Sequence, residues 1–289
     1  MKFECNTHIL SDICSNVQRA VSQKTSIPSL EGIMIKAEGN TVTLTGYDLE
    51  VGMITSTDAE VKENGSIILN AKILCDILRN LPEDRVSFEA DERLSCKIKS
   101  GEAEFTLVGT SSAEYPELPS VNGGFPVVID SEILKDMIRK TIFATAENDA
   151  KIVHTGVRFE ISENNIRLVA VDGFRLAIRN EKIDYSGEEK IFVVPKKTLN
   201  EVLKLSAGED GKISMSIGKR HITFKIGDYD IVSRLLDGEF FEKNETSFTA
   251  VNVLTGEGKI DGETFSAGDS FFIPCGEVYS LTGKAKIIL

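Results

Sequence analysis

The first regular pattern in the chain is an amphipathic stretch from His8 to Val21, where Ile9, Leu10, Ile13, Cys14, Val17 and Val21 share one helical face. Alternating apolar positions follow. Gly32-Ile33-Met34-Ile35 leads through Gly39-Asn40 to Val42 and Leu44, which reads as two strands, a turn, and then a loop carrying Asp48. Ser66-Ile67-Ile68-Leu69 is a further strand entering a helical stretch from Ala71 to Leu81, and Glu104-Phe105-Thr106-Leu107-Val108 is a strand ending towards Glu114-Tyr115-Pro116.

The pattern then repeats. Gly156-Val157-Arg158-Phe159 leads through Glu163-Asn164 to Ile166, Leu168 and Asp172, each position 124 residues beyond its counterpart. A helix predicted from Ser131 to Ala146 opens this second copy, with Ile133, Leu134, Met137, Ile138, Ile142 and Phe143 on its apolar face. Ser131 reads as its N-cap, and Glu132 suits the positive end of its dipole. Lys190-Ile191-Phe192-Val193 precedes the helical stretch Pro195 to Leu205. Asp228 to Val232 pairs with Glu104 to Val108, and Glu239-Phe240-Phe241 with Glu114-Tyr115-Pro116, the offset drifting to 125.

Two tandem modules of roughly 120 residues are therefore expected, each helix, strands, helix, strands. The fold class is α+β, with helices on one face of antiparallel sheet and equivalent helices on a shared surface. The boundaries read as 1–121 and 122–241, with 242–289 a separate all-β segment. In that segment Gly256-Glu257-Gly258, Asp261-Gly262-Glu263 and Ala267-Gly268-Asp269 punctuate short alternating runs, the pattern of a β meander.

Composition narrows the functional classes. The 289 residues are 41% hydrophobic and 27% charged, as in soluble globular proteins. No apolar run approaches the ~20 residues of a membrane span. Met1-Lys2-Phe3-Glu4-Cys5 lacks a secretory layout, which points to the cytoplasm. Cys5, Cys14, Cys75, Cys96 and Cys275 are scattered without a CxxC pair and read as buried free thiols. A net charge of −12 opposes bulk attraction to nucleic acid, so any DNA contact needs basic residues gathered on one face. His8, His154 and His221 form no ligand pair, and no HExxH, Walker loop or GxSxG is present. No cofactor or metal is expected.

Several motifs carry a family resemblance. Thr25-Ser26-Ile27-Pro28-Ser29-Leu30, Thr45-Gly46-Tyr47-Asp48-Leu49-Glu50 and Ala170-Val171-Asp172-Gly173-Phe174-Arg175-Leu176-Ala177 appear in order. Val194-Pro195-Lys196-Lys197, Gly227-Asp228-Tyr229 and Ser233-Arg234-Leu235-Leu236-Asp237-Gly238-Glu239-Phe240 follow. Together they resemble the first two domains of bacterial replication sliding clamps, the β subunit of DNA polymerase III, from Met1 to about Phe240. The resemblance implies three such domains per chain and two chains closed head to tail into a ring. Such a ring encircles duplex DNA and tethers the polymerase without making or breaking bonds.

Two sites follow from the resemblance. Helices lining the hole present basic residues to phosphates without reading bases. The DNA-binding candidates are Lys24, Asn148, Lys196, Lys197, Lys72, Arg79, Arg139 and Lys140, with Arg19, Lys135 and Lys204 on the same helices. An apolar groove for clamp-binding peptides of polymerase and clamp-loader subunits maps to His154, Val171, Gly173, Phe174, Arg175 and Leu176. Gly173 permits a sharp turn, Leu176 supplies floor, and Arg175 offers its stem to a peptide and its head to solvent.

The family pattern breaks at Phe241-Glu242-Lys243-Asn244, where a Phe-Pro-Asp-Tyr and a linker into a third domain are expected. Gly268-Asp269-Ser270-Phe271-Phe272-Ile273-Pro274-Cys275-Gly276 resembles the second motif of cupin barrels, and the segment resembles the end of a type I mannose-6-phosphate isomerase. The zinc ligands of that family sit in an earlier domain, and Tyr279 stands where a metal-binding cupin places histidine. The sequence thus reads as a truncated or chimeric clamp, expected not to form a normal closed dimer. Phosphosugar isomerisation and a protein-binding scaffold that does not encircle DNA are the alternatives. Zinc-dependent interconversion of mannose and fructose 6-phosphates would mark the first, and peptide capture without DNA retention the second.

Overall fold

The computed structural model describes residues 1–22, 25–121, 126–148, 152–207, 211–237, 249–260, 262–273 and 281–288. The first repeat runs β1 (Lys2–Asn6), α1 (Thr7–Val17), β2 (Gly32–Glu38), β3 (Thr41–Tyr47), β4 (Val51–Asp58), β5 (Glu60–Glu63), β6 (Gly65–Asn70), α2 (Ala71–Arg79), β7 (Arg85–Ala90), β8 (Ser95–Ser100) and β9 (Ala103–Val108). The second runs β10 (Val127–Asp130), α3 (Ser131–Arg139), β11 (Gly156–Ser162), β12 (Asn165–Val171), β13 (Leu176–Lys182), β14 (Lys190–Pro195), α4 (Lys196–Leu205), β15 (Lys212–Ile217), β16 (His221–Ile226) and β17 (Tyr229–Arg234). Apart from β5, every element of the first repeat has a counterpart in the second.

The helices stop earlier than their apolar spacing predicts. α1 ends at Val17 and continues as a 3₁₀ turn over Gln18–Ala20, while α3 ends at Arg139 before a separate 3₁₀ turn over Ile142–Ala144. The 3₁₀ turns keep apolar residues at similar spacing, so periodicity alone cannot see the break. The N-caps of α1 and α2 are asparagines: Asn6 Oδ1 accepts from Ile9 N at 3.0 Å, and Asn70 Oδ1 accepts from Ile73 N at 3.1 Å. Ser131 does not cap α3 as predicted. Its hydroxyl is buried without a hydrogen-bond partner among the described residues, and the offset of 124 places Asp130 where Asn6 stands.

The chain divides into two compact units whose division does not follow the repeats. Unit one holds Met1–Ser131 and Asn200–Arg234; unit two holds Glu132–Leu199 and Leu235–Leu289. In unit one a five-stranded sheet has the order β5-β1-β7-β8-β9, and an eight-stranded sheet has the order β10-β15-β16-β17-β4-β3-β2-β6. The larger sheet is therefore continuous through both repeats, joined where β17 pairs antiparallel with β4 in the register Ile231↔Met53. Ile231 and Met53 are fully buried at this seam, which removes two strand edges from water. α1 packs on α2, and Leu10 and Cys14 of α1 and Leu74 and Leu78 of α2 are buried. The Sγ atoms of Cys14 and Cys75 lie 2.9 Å apart there. Burial pushes the Cys5 thiol up to about 12 and Cys96 up to about 11, so both are protonated and inert near neutral pH. Cys275 lies outside the described residues.

Unit two contains the four-stranded sheet β13-β12-β11-β14 with a core of Val157, Phe159, Ile161, Leu168 and Phe192. It also contains a second sheet of β18 (Thr249–Ile260), β19 (Glu263–Ser266), β20 (Ser270–Ile273) and β21 (Leu281–Ile288). This is not the meander the turn spacing predicts. The twelve-residue β18 is central, paired with β21 along one side and with β19 and β20 in succession along the other. Gly256 and Gly258 sit inside β18 instead of ending it, so glycine punctuation overestimates the number of turns.

Candidate functional site

Both repeats build the same loop after their second long strand. In repeat one Asp48 Oδ1 accepts from the N–H groups of Glu50 (3.0 Å) and Val51 (2.8 Å). In repeat two Asp172 Oδ1 accepts from Phe174 and Arg175, both at 3.1 Å. The following residue is left-handed in each case, Leu49 at φ 74° and Gly173 at φ 83°. Gly173 faces open space, so its role is conformational.

What lies beneath the loops differs. In repeat one Tyr47 and Tyr115 are buried with Leu30 and Ile68, and Tyr115 Oη donates to Thr45 O at 3.2 Å. In repeat two valines occupy the corresponding floor: Val153, Val169 and Val193 are buried, while Val171, Leu176 and Leu236 pack against them only partly covered. Val171 stands where Tyr47 stands in repeat one. The positions pairing with Tyr115 lie at 239–241, outside the described residues.

The structure therefore brings Val171 and Leu176 together on one half-buried apolar rim. Phe174 is extruded, 92% exposed. Arg175 is exposed, with its head held at the surface. Its Nε donates to Asp172 Oδ2 at 2.8 Å, and its guanidinium lies 5.8 Å over the Phe143 ring. Burial alone would raise the Asp172 carboxyl. The N–H of Phe174 and the side chain and N–H of Arg175 outweigh that, holding it below its ordinary 3.8. His154 is half-buried on a 3₁₀ turn, Ile152–Thr155, and the fully buried position there belongs to its neighbour Val153. Leu236 and Phe143 were not singled out from sequence. Leu236 was findable: it bridges Val193 as Thr110 bridges Ile68 in repeat one.

The basic candidates fall into three groups. Lys24 lies outside the described residues. Lys72 and Arg79 are exposed on α2 and line a cleft of about 690 Å³ with Arg19, but Glu31 and Asp76 line it too. Arg139 and Lys197 are exposed on α3 and α4, and Asn148 is exposed after the 3₁₀ turn. Others are committed to carboxylates. Lys140 pairs with Asp136 at 2.8 Å, Lys196 with Glu147, and Lys204 with Glu201 at 2.7 Å. Arg19 Nε donates to Glu201 Oε2 at 2.5 Å, and its Nη1 donates to Asn16 Oδ1 at 2.6 Å. Asn16 Nδ2 in turn donates to Tyr229 Oη at 2.7 Å, so Arg19 belongs to a network inside unit one. Lys135 corrects the sequence reading outright: it is 5% exposed and paired with Glu132.

Two family models match the chain. The DNA polymerase III beta subunit N-terminal domain covers residues 1–119, and the central domain of that subunit covers residues 128–242. The Beta sliding clamp of Halalkalibacterium halodurans is 34% identical over 251 residues, 83% of this chain and 66% of that protein. The Beta sliding clamp of Bacillus subtilis (strain 168) is 31% identical over 249 residues with the same coverage. This chain spans 66% of the length of these curated relatives. A crystal structure of a DNA polymerase III beta subunit from Eubacterium rectale matches with a TM-score of 0.81 at 30% identity, covering 99% of this chain and 86% of that one. The sliding clamp of Bacillus subtilis matches in fold, with a TM-score of 0.82 at 24% identity over the same shares.

Proposed function

The chain belongs to the DNA polymerase III beta subunit family, and from that premise we propose that it is a non-catalytic clamp subunit. It holds duplex DNA without sequence preference and tethers replication proteins by short peptides. The observation that carries this reading is the rim in repeat two, where valine and leucine stand half-covered beneath a loop whose twin in repeat one is filled by tyrosine. An extended or turn-forming peptide with apolar anchors suits such a floor, with Arg175 at its edge. Lys72, Arg79, Arg139, Lys197 and Asn148 are the exposed candidates for phosphates, joined by Lys24; Arg79, which pairs with Asp76, and Lys140, Lys196 and Lys204 serve by exchanging a carboxylate for a phosphate.

Fluorescence polarisation with a clamp-binding peptide tests the site. Arg175→Ala and Leu176→Ala are expected to weaken binding by about tenfold each, the scale of one lost anchor. Wild-type affinity in both variants overturns the assignment. A second reading, a peptide-binding scaffold that does not encircle DNA, is favoured by the ion pairs that occupy much of the basic set. Retention on closed circular DNA separates the two: a ring stays, a scaffold elutes. The domain reading remains 1–121, 122–241 and 242–289, with the last segment taken as a partial cupin-like sheet and the protein as cytoplasmic. Among the described residues no helix is long and apolar enough to cross a membrane.

A further inference from the structure

Four of the five cysteines lie in repeat one, and repeat two has none. The duplicated scaffold therefore builds its second set of helices without sulfur, and at the offset of 124 Ile138 stands where Cys14 stands. Repeat one instead sets two free thiols against each other. Cys14 on α1 and Cys75 on α2 are both fully buried, and their Sγ atoms are within hydrogen-bond contact at 2.9 Å.

Arg79 reaches across the two helices that carry the pair. It stands one turn after Cys75, and its Nη2 donates to Ser15 Oγ at 3.5 Å and Gln18 Oε1 at 3.4 Å, beside Cys14 and one turn beyond it. These bonds are long, as is the 3.5 Å pairing with Asp76, so the guanidinium moves aside at small cost. Ala71, Arg79 and Gln18, each one turn from a cysteine, line the cleft of about 690 Å³, which therefore opens over the turns that bear both thiols. The thiols are unequal. The S–H of Cys14, donated to Cys75, lowers the Cys75 thiol from its ordinary 9.0; burial opposes this and the Arg79 cation supports it. The same hydrogen bond, together with burial, raises Cys14.

We propose that Cys14 and Cys75 form a reversible oxidation site, which hydrogen peroxide closes to a disulfide between α1 and α2. A disulfide sets its sulfurs about 2.05 Å apart, so closure asks for a movement of less than about 1 Å. Cys75 is the attacking thiolate. Its sulfur bonds one peroxide oxygen, the O–O bond breaks, and the departing hydroxide takes up the proton that Cys75 released and leaves as water. Cys75 is then a sulfenic acid. The Cys14 sulfur attacks it, the S–O bond breaks, and the second hydroxide takes the Cys14 proton and leaves as water. Two thiols lose two electrons and two protons, and the peroxide is reduced to two waters. The new bond ties together positions 61 residues apart in the chain, beneath the cleft that holds Lys72 and Arg79. The site lies wholly in unit one and is independent of whether the chain holds DNA.

Mass spectrometry on the folded 289-residue chain tests it. After treatment with hydrogen peroxide, remaining thiols are alkylated in denaturant with N-ethylmaleimide. Cys14 and Cys75 are expected to escape alkylation together, to appear as one cross-linked peptide pair two hydrogens lighter, and to become alkylatable again after dithiothreitol. Cys14→Ser keeps a hydroxyl donor beside Cys75 but no resolving sulfur, so dimedone is expected to trap the Cys75 sulfenic acid. Cys75→Ser is expected to give no dimedone adduct at Cys14. Circular dichroism verifies the fold of each variant, and the wild-type cross-link stands as a test without them. Full alkylation of both thiols after peroxide overturns the proposal, as does a cross-link that forms only in the unfolded chain. Dimedone labelling of Cys14 equal to that of Cys75 overturns the assignment of the attacking sulfur.

Discussion

Asp48 and Asp172 hold two loops of the same shape by the same pair of backbone N–H groups, yet the loops differ in what they cover. Beneath the first, Tyr47 and Tyr115 are buried with Leu30 and Ile68, and Ile27, Met34 and Leu118 pack against them partly covered. Beneath the second, Val153, Val169 and Val193 are buried while Val171, Leu176 and Leu236 are half-covered. Duplication supplied one scaffold twice, with tyrosine at position 47 of the first copy and valine at the matching position 171 of the second. The proposed peptide site accordingly lies on repeat two alone.

Four changes break or sharpen that contrast. Tyr47→Val removes a buried ring and is expected to cost about 3 kcal/mol of stability, read as a lower urea midpoint. Peptide binding should not move to repeat one, because Tyr115 still fills the floor. Val171→Tyr makes the reverse change, and is expected to cost about 2 kcal/mol of peptide affinity, roughly thirtyfold, with little loss of stability. A Val171→Tyr variant that binds as wild type removes the rim from the site.

The third change is protonation of Asp172. Its folded-state value is depressed, so its contribution to the loop is complete above the unfolded value of 3.8 and disappears as pH falls through the folded value. Amide exchange at Phe174 and Arg175, followed by NMR, should accelerate only below that range. Acceleration between pH 7 and 5 would assign loop order to something else. The smallest effect is expected from Leu49→Gly. Leucine at φ 74° is strained, and glycine relieves about 1 kcal/mol, seen as a small rise in melting temperature. Gly173→Leu should lower it by a similar amount.

Much of this was legible in the chain because both repeats keep their turn residues. Gly39-Asn40, Asp48 and Asp172 gave the strand pairs and loops directly, while Val171 and Leu176 came from the family resemblance. The final hairpin was misaligned by two residues. The offset is 124 for the early strands, 125 from β6 to β14 and 126 from β8 to β16 and from β9 to β17, built up by one-residue changes in several elements and loops. Apolar alternation tolerates a shift of two, so the pattern gives no warning. Lys135 was misread because a lysine beside an apolar stripe looks solvated in sequence, whereas here it is buried and paired with Glu132. The seam between β17 and β4 lay beyond reach, since pairing between repeats leaves no local signature.

The continuous eight-stranded sheet means that the two repeats are not beads on a string. Separating them between residues 121 and 127 would strip β4 and β17 of each other and leave Met53 and Ile231 facing water. Neither half is then an independent folding cassette. A lesion in one copy should propagate as lost cooperativity in the other, and gene-level swaps of single repeats between relatives should succeed only when the strands on both sides of the seam are exchanged together.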